Sequence, residues 1–478
     1  MMAERPASNA SVKRLVAIIA AAGIAGFCVI SGLGLALNPT VCSIGLGALL
    51  VVVFLCTRPE LALPVALFTV PLDLLGHVTP DGTITAAKLL ILLAIGIWAA
   101  RTLIHKDRYP LEVLWHPVSL LMFAFLAINV LSLVNARALE PAALYLVRRT
   151  NVVVFALLVA VVIRDRRSWD RALVWMTLAG VPIVFFGLYE LITAKPILAL
   201  VSYRSQDELL LLSGEHWRIH GTFDDGPFHA IYVVTVVSLS LCWLLRTRNR
   251  WIQAGLCALI ALLLVNLIGT ASRGGVMGLV VVLAVFWVGL GMRRKWVLAA
   301  GLVGCAAGVF LVAAILPQVP LRRYVQLSPK DDPTTQIRVG LYSVGMGMIA
   351  DHPVLGVGTG NWMRNYQRYA TADTFKETTY HPHNTYLQIL AENGLLGMAV
   401  YLLLLSFTTY QFVLALRRTP DRDGRLPILA AMGAFLAFAA FATTSNVMEN
   451  ETYWIFIGFS IVASQLPTSK PEATTGEA

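Results

Sequence analysis

Long apolar runs constrain this chain more than any other feature of its sequence. Runs of roughly 17–25 mostly apolar residues, the length that crosses a bilayer as a helix, recur along nearly all of its 478 residues. Only 13% of the residues are charged, whereas a soluble globular protein carries about a quarter. The sequence therefore predicts an all-α polytopic membrane protein.

The apolar runs predict fourteen transmembrane helices, or twelve if the short second and third runs do not cross the bilayer. We expect the first helix to be retained, because its run is too long for the core of a cleaved signal peptide. The predicted spans are residues 15–37, 41–57, 60–76, 84–104, 117–134, 144–163, 172–192, 227–245, 252–269, 275–291, 297–316, 396–416, 427–443 and 453–466.

Basic residues between the runs predict the orientation of the chain. With both termini in the cytoplasm, every short loop on that side contains Lys or Arg, as the positive-inside rule requires. This pattern accounts for the net charge of +10, so no nucleic-acid partner is predicted. The main basic clusters lie in segments 101–108, 164–171, 246–250, 293–295 and 417–425.

Two long segments, about 193–226 and 317–395, then lie on the outer side. Loops of this length in a compact protein are usually functional. The expected division of the chain is a first part of the transmembrane bundle at 1–316, a large helical outer loop at 317–395, the last three helices at 396–466 and a disordered tail at 467–478.

Five arginines on the outer side are candidates for binding an anion. Arg148 and Arg149 lie in or beside an apolar run, where a charge is costly and often functional. Arg273 follows Ser272 in a glycine-rich turn, and Arg218 and Arg338 lie in the two long segments. A guanidinium can bind phosphate through two parallel hydrogen bonds, so converging arginines would suit a pyrophosphate. The alternative is that these side chains only reach the lipid headgroups.

His383 is the candidate general base. Asn384 is a suitable N-cap for a short helix from Thr385, and Gly394 is a suitable left-handed stop. A neutral imidazole just before this helix could accept a proton. Either His383 alone or His383 together with His381 is the base, and Glu392 is a candidate for orienting a partner. The alternative for His383 is a capping or surface histidine.

Other motifs give no evidence for a metal or a cofactor. The histidines His216, His220 and His229 match no strong metal-binding spacing. The glycine-rich segment 356–360 follows no strand, so a turn is expected rather than a nucleotide site. The six cysteines lie in or beside apolar runs without a C-x-x-C pair, which favours buried, inert thiols.

Several segments between Arg218 and Gly397 resemble the O-antigen ligase and polymerase superfamily, in the same order and on the same side. The most specific is a His-Asn pair followed, nine residues later, by Gly-x-x-Gly. The matching segments are His383-Asn384 with Gly394-Leu-Leu-Gly397, Gly221-Thr-Phe with Pro227, Ser272-Arg-Gly274, and Asp351 to Asn361. His229 departs from the pattern, since many relatives have a small or amide residue near that point.

The resemblance implies an inverting membrane glycosyltransferase of the GT-C type in the bacterial inner membrane, with a periplasmic active site. Its donor would be a polysaccharide on undecaprenyl pyrophosphate, and its acceptor the lipid A-core of lipopolysaccharide. His383 would take the acceptor proton and the five arginines would stabilise the pyrophosphate, without a metal or cofactor. The alternatives are an O-antigen or exopolysaccharide polymerase, a protein O-oligosaccharyltransferase and, in another class, a transporter of lipid-linked sugar.

Overall fold

The computed structural model describes residues 58–72, 90–94, 111–195, 218–223, 225–290, 333–371 and 381–466, together with 55, 96 and 197. Within these residues the regular elements are all helices, which confirms the predicted all-α class. The α-helices are α1 (Ala62–Thr69), α2 (Pro117–Leu131), α3 (Leu139–Val162), α4 (Arg166–Leu178), α5 (Gly180–Thr193), α6 (Gly226–Arg246), α7 (Arg250–Gly269), α8 (Arg273–Gly289), α9 (Pro333–Asp351), α10 (Trp362–Tyr369), α11 (Thr385–Arg418), α12 (Arg422–Phe441) and α13 (Glu451–Gln465). Short 3₁₀ helices precede α1 and flank α2.

Seven helical segments of the described chain are long and apolar enough to cross a bilayer. They comprise α2 with its 3₁₀ extension, α3, α4 together with α5, α6, α7, α11 and α12. The polytopic prediction is therefore confirmed for this part of the chain. The predicted spans 15–37 and 297–316, most of 41–57 and 84–104, and the tail 467–478 lie outside the described residues.

Polar residues set where these helices begin. The Asp165 carboxylate accepts from the Ser168 amide at 2.6 Å, so α4 starts at Arg166. The sequence placed this start near residue 172 because it assigned Arg166 and Arg171 to a loop. That boundary was wrong: a charged first turn is compatible with a helix whose capping residue satisfies its free amides.

The core of the bundle surrounds α13, whose residues from Thr452 to Ala463 are all buried. This helix packs against α3, α11 and α12. The Tyr453 hydroxyl lies 2.9 Å from that of Tyr401, and its ring stacks on Phe435 with centroids 5.9 Å apart. A second apolar core joins α9 and α10 to the first turns of α11. The described part of the predicted outer loop is thus helical and packs as a lobe on the bundle.

The two ends of the bundle carry different chemistry. At one end the three described basic clusters, in segments 164–171, 246–250 and 417–425, meet: Arg246 pairs with Asp170 at 2.7 Å, and Arg422 donates to the Leu245 carbonyl at 3.4 Å. The turns at 269–273 and 442–450 and the start of α11 lie at the opposite end.

Candidate active site

His383 lies immediately before α11, in a segment whose backbone is held from both sides. The Asn384 side chain caps the helix by accepting from the Leu387 amide at 3.1 Å, as predicted, and donates to the Tyr342 hydroxyl at 2.9 Å. His383 itself has a φ of 46°, which is uncommon for a residue with a Cβ. This turn leaves the imidazole exposed at the end of the bundle opposite to the basic clusters.

The turn after α12 fixes the first residue of α11. The Thr385 amide donates to the Ala442 carbonyl and the Thr385 hydroxyl to the Ser445 carbonyl, both at 2.8 Å. The Val447 amide in turn donates to that hydroxyl at 3.0 Å. Because Thr385 is fully buried, these bonds tie the His383 segment to the turn at 442–450.

Gly394 ends the first segment of α11, as the sequence predicted, and the helix resumes beyond it. Its φ is 64° and its ψ is −166°, so the predicted left-handed αL conformation was wrong although the stop is confirmed. A Cβ at this position would collide with the backbone of Val354, whose neighbour Pro353 accepts from the Leu395 amide at 2.8 Å. Close backbone contact with the outer lobe therefore requires glycine here.

Arg338 of α9 lies beside His383. Its guanidinium donates to the Thr444 carbonyl at 3.4 Å. Enclosure by the surrounding protein lowers the pKa of His383 below its ordinary value, and the charges of Arg338 and His381 lower it further. The pKa of His381 is also lowered by burial, although nearby Glu449 opposes that shift. These effects all favour the neutral form of the His383 imidazole, which is the form that can accept a proton.

Arg273 reaches the same region from α8. Ser272 caps this helix by accepting from the Gly275 amide at 3.1 Å, so Arg273 is its first residue. The next residue, Gly274, packs so closely against the Thr444 side chain that a Cβ would collide with it. Thr444 therefore contacts both the Arg338 guanidinium and the first turn of α8.

Arg218 stands on the other side of the 269–273 turn. The Ile219 amide donates to the Gly269 carbonyl at 3.0 Å, which places Arg218 beside the end of α7. Its Nε is buried and has no hydrogen-bond partner among the described residues. Contacts through the 269–273 and 442–450 turns thus connect Arg218, Arg273, Arg338 and His383 at one end of the bundle.

Arg149 does not fit the predicted role of a pyrophosphate ligand. Its side chain is 0% exposed, and its nitrogens lie 3.2 Å from the Glu392 carboxylate and 3.1 Å from that of Glu449. It also donates to the Asn129 side chain. A guanidinium already bound by two carboxylates is a structural ion pair, whereas the adjacent Arg148 is exposed. Of the two candidates, only Arg148 presents its charge at the surface.

Glu392 lies at the junction of α3, α10 and α11. Besides Arg149, its carboxylate accepts from the Trp362 amide at 3.3 Å, and its carbonyl accepts from the Gly358 amide at 3.0 Å. The glycine-rich segment is the turn that the sequence predicted, and Gly356, Gly358 and Gly360 all have positive φ. This turn fastens the outer lobe to α11.

Residues 258–402 match the family model of the O-antigen ligases. This part of the chain is thus similar to the O-antigen ligase family. The matched region contains Arg273, Arg338, His383 and Glu392, whereas Arg148, Arg149 and Arg218 precede it. No curated protein matches the chain at a significant level.

Two acidic residues that the sequence did not single out lie near the candidate site. Glu449 pairs with Arg149 and is 21% exposed toward the site end. Glu190 is buried in α5 and accepts hydrogen bonds from the segment that carries Arg218. Glu190 interrupts an apolar run, so the rule that singled out Arg149 would also have found it.

Among the described residues, no cluster of His, Cys, Asp or Glu is arranged to hold a metal. The His229 Nε2 lies 3.2 Å from the Asn266 side-chain oxygen. His216, which the sequence places near His220 and His229, lies outside the described residues.

Proposed function

We propose that this protein is an inverting glycosyltransferase that transfers O-antigen polysaccharide from undecaprenyl pyrophosphate to the lipid A-core of lipopolysaccharide. The observation that carries this proposal is the position of His383 beside Arg338, immediately before the helix that Asn384 caps. The match of residues 258–402 to the family model of the O-antigen ligases supports the same reaction class.

In this mechanism His383 takes the proton from an acceptor sugar hydroxyl. The hydroxyl oxygen forms a bond to the anomeric carbon of the donor sugar, and the bond from that carbon to the pyrophosphate breaks. The leaving pyrophosphate takes the electron pair and needs charge stabilisation rather than a proton. Arg218, Arg273 and Arg338, with Arg148 at the lip, would supply it. The chemistry requires no divalent metal or cofactor.

The distribution of charge supports a periplasmic active site. The basic clusters at one end of the bundle would face the cytoplasm of the inner membrane, as positive-inside bias requires. His383 and Arg338, at the opposite end, would then face the periplasm. A lipid-linked glycan and a lipid A-core, both held in the membrane, would meet at that surface.

The test uses purified protein in EDTA with a lipid-linked glycan and a lipid A-core acceptor. We expect the His383→Ala variant to bind the donor but to transfer roughly 10²–10⁴-fold more slowly, the usual loss for a missing general base. His116→Asn is the matched control, because an asparagine can still cap α2 at the opposite end. Full activity of the His383→Ala variant would refute this mechanism.

The acceptor separates this reaction from the other reactions of the superfamily. A strain lacking the protein should accumulate long polymer on its lipid carrier with uncapped lipid A-core. Accumulation of single repeat units would instead indicate a polymerase. Transfer to a protein would indicate a protein O-oligosaccharyltransferase.

A further inference from the structure

Glu190 is a buried carboxylate in a helix that is otherwise apolar. It lies one turn before the end of α5 and is 0% exposed. One oxygen accepts from the Ile197 amide at 2.7 Å, and the other accepts from the His220 and Gly221 amides at 2.8 Å each. A carboxylate at this position is costly unless such donors surround it.

The segment that Glu190 binds is enclosed by several other elements. The Ile219 amide bonds to the end of α7, and the Thr222 hydroxyl donates to the Pro71 carbonyl. Gly221, with a φ of 58°, lies so close to the His229 ring that a Cβ would collide with it. Glu190 is the acidic residue of this enclosure, and its side chain accepts hydrogen bonds from the amides of His220 and Gly221.

We infer that Glu190 is a positioning residue that fixes Arg218 for the donor pyrophosphate. This inference rests on the proposed function. Arg218 begins the bonded segment, and its buried Nε has no described partner, so its position depends on the backbone that follows. A carboxylate accepting amides at residues 220 and 221 removes the freedom of that backbone.

The chemistry of the contact explains why glutamate is needed. Three amide donors converge on two carboxylate oxygens. A glutamine has one oxygen and one NH₂ group, and the NH₂ group would face an amide N–H that also donates. Glu190→Gln should therefore keep the bonds to residues 220 and 221 and lose the bond to Ile197, whereas Glu190→Ala loses all three.

The test is a double-mutant cycle with Arg218→Ala in the glycan-transfer assay. We expect Glu190→Ala to lower kcat/KM at least 10-fold, since misplacing a reacting group by about 1 Å can cost 10²-fold. We expect Glu190→Gln to retain an intermediate rate. In the Arg218→Ala background, Glu190→Ala should have little further effect, because the group that it positions is gone.

Ser238→Ala is the control for a general loss of stability. Its buried hydroxyl donates to the Ala430 carbonyl at 2.8 Å, within the bundle. Any rate loss from Ser238→Ala should multiply with that of Arg218→Ala. If Glu190→Ala does not fold, Glu190→Gln replaces it in the cycle.

The outcomes separate this inference from the proposed function. Wild-type activity of Arg218→Ala would refute the role of Arg218 in donor binding. Two results would refute only the inference about Glu190. The first is a slow Arg218→Ala variant together with a Glu190→Ala variant of wild-type rate, and the second is rate losses that multiply in the double variant.

Discussion

Replacing Arg149 with methionine should destabilise the protein far more than the same replacement at Arg148. The two arginines are neighbours on α3, yet Arg149 is 0% exposed between two carboxylates and Arg148 is exposed. Methionine keeps most of the side-chain volume and removes the charge. The difference between the two variants therefore measures the contribution of the buried ion pair to the free energy of unfolding.

The magnitude follows from what the replacement leaves behind. Glu392 is 1% exposed and would lose its cationic partner, and removing one member of a buried pair costs about 3–5 kcal/mol. Glu449 is 21% exposed and can rehydrate, so it adds less. Arg148→Met removes only an exposed charge and should change the free energy of unfolding by about 0.5 kcal/mol or less.

Equilibrium unfolding in mixed micelles, followed by tryptophan fluorescence, measures both variants. Adding Glu392→Gln to Arg149→Met should recover part of the loss, because an amide in the apolar interior costs less than an unpaired carboxylate. Equal stability of the Arg148→Met and Arg149→Met variants would refute the structural role of Arg149. If the double variant is less stable than Arg149→Met, the unpaired charge of Glu392 is not the cause of the lost stability.

Two further predictions concern the site and the lobe that supports it. The base must be neutral, and the pKa of His383 is lowered. We therefore expect kcat/KM for transfer to be constant above neutral pH and to fall only below about pH 6.5, the ordinary pKa of histidine. A fall in kcat/KM centred above pH 7 would contradict this expectation. Gly394→Ala should cost at least about 2 kcal/mol in the same unfolding assay, because φ is 64° and the Cβ would meet the Val354 backbone. Gly255→Ala is its control, because this helical glycine has open space around it. We expect this replacement to raise the free energy of unfolding by up to about 1 kcal/mol. Equal effects at the two positions would be evidence against a steric role for Gly394.

The sequence predicted the helices because each apolar run specifies its own span, without reference to its neighbours. It also predicted the Asn384 cap and the stop at Gly394, which are local features. It could not distinguish Arg148 from Arg149, since adjacent helical residues point about 100° apart and only the packing of α3 selects one for the interior.

The arrangement of the site could not be predicted from the sequence either, because it also depends on packing between distant segments. Arg218, Arg273 and Arg338 come from separate segments, and their proximity depends on turns at 269–273 and 442–450 that carry no motif. Glu190 and Glu449 have no spacing relation to the residues that they bind. Only the unusual position of Glu190 within an apolar run marked it in advance.

The burial of α13 has a consequence for how the protein is made. The helix enclosed by α3, α11 and α12 is the last that the described chain contains, so the ribosome releases it after its neighbours. Until then, the faces that will surround it are open to lipid or to the insertion machinery. Glu449 lies just before α13, so Arg149, synthesised 300 residues earlier, has only one of its two carboxylate partners until this segment is made. Formation of the complete ion pair thus depends on the insertion of α13.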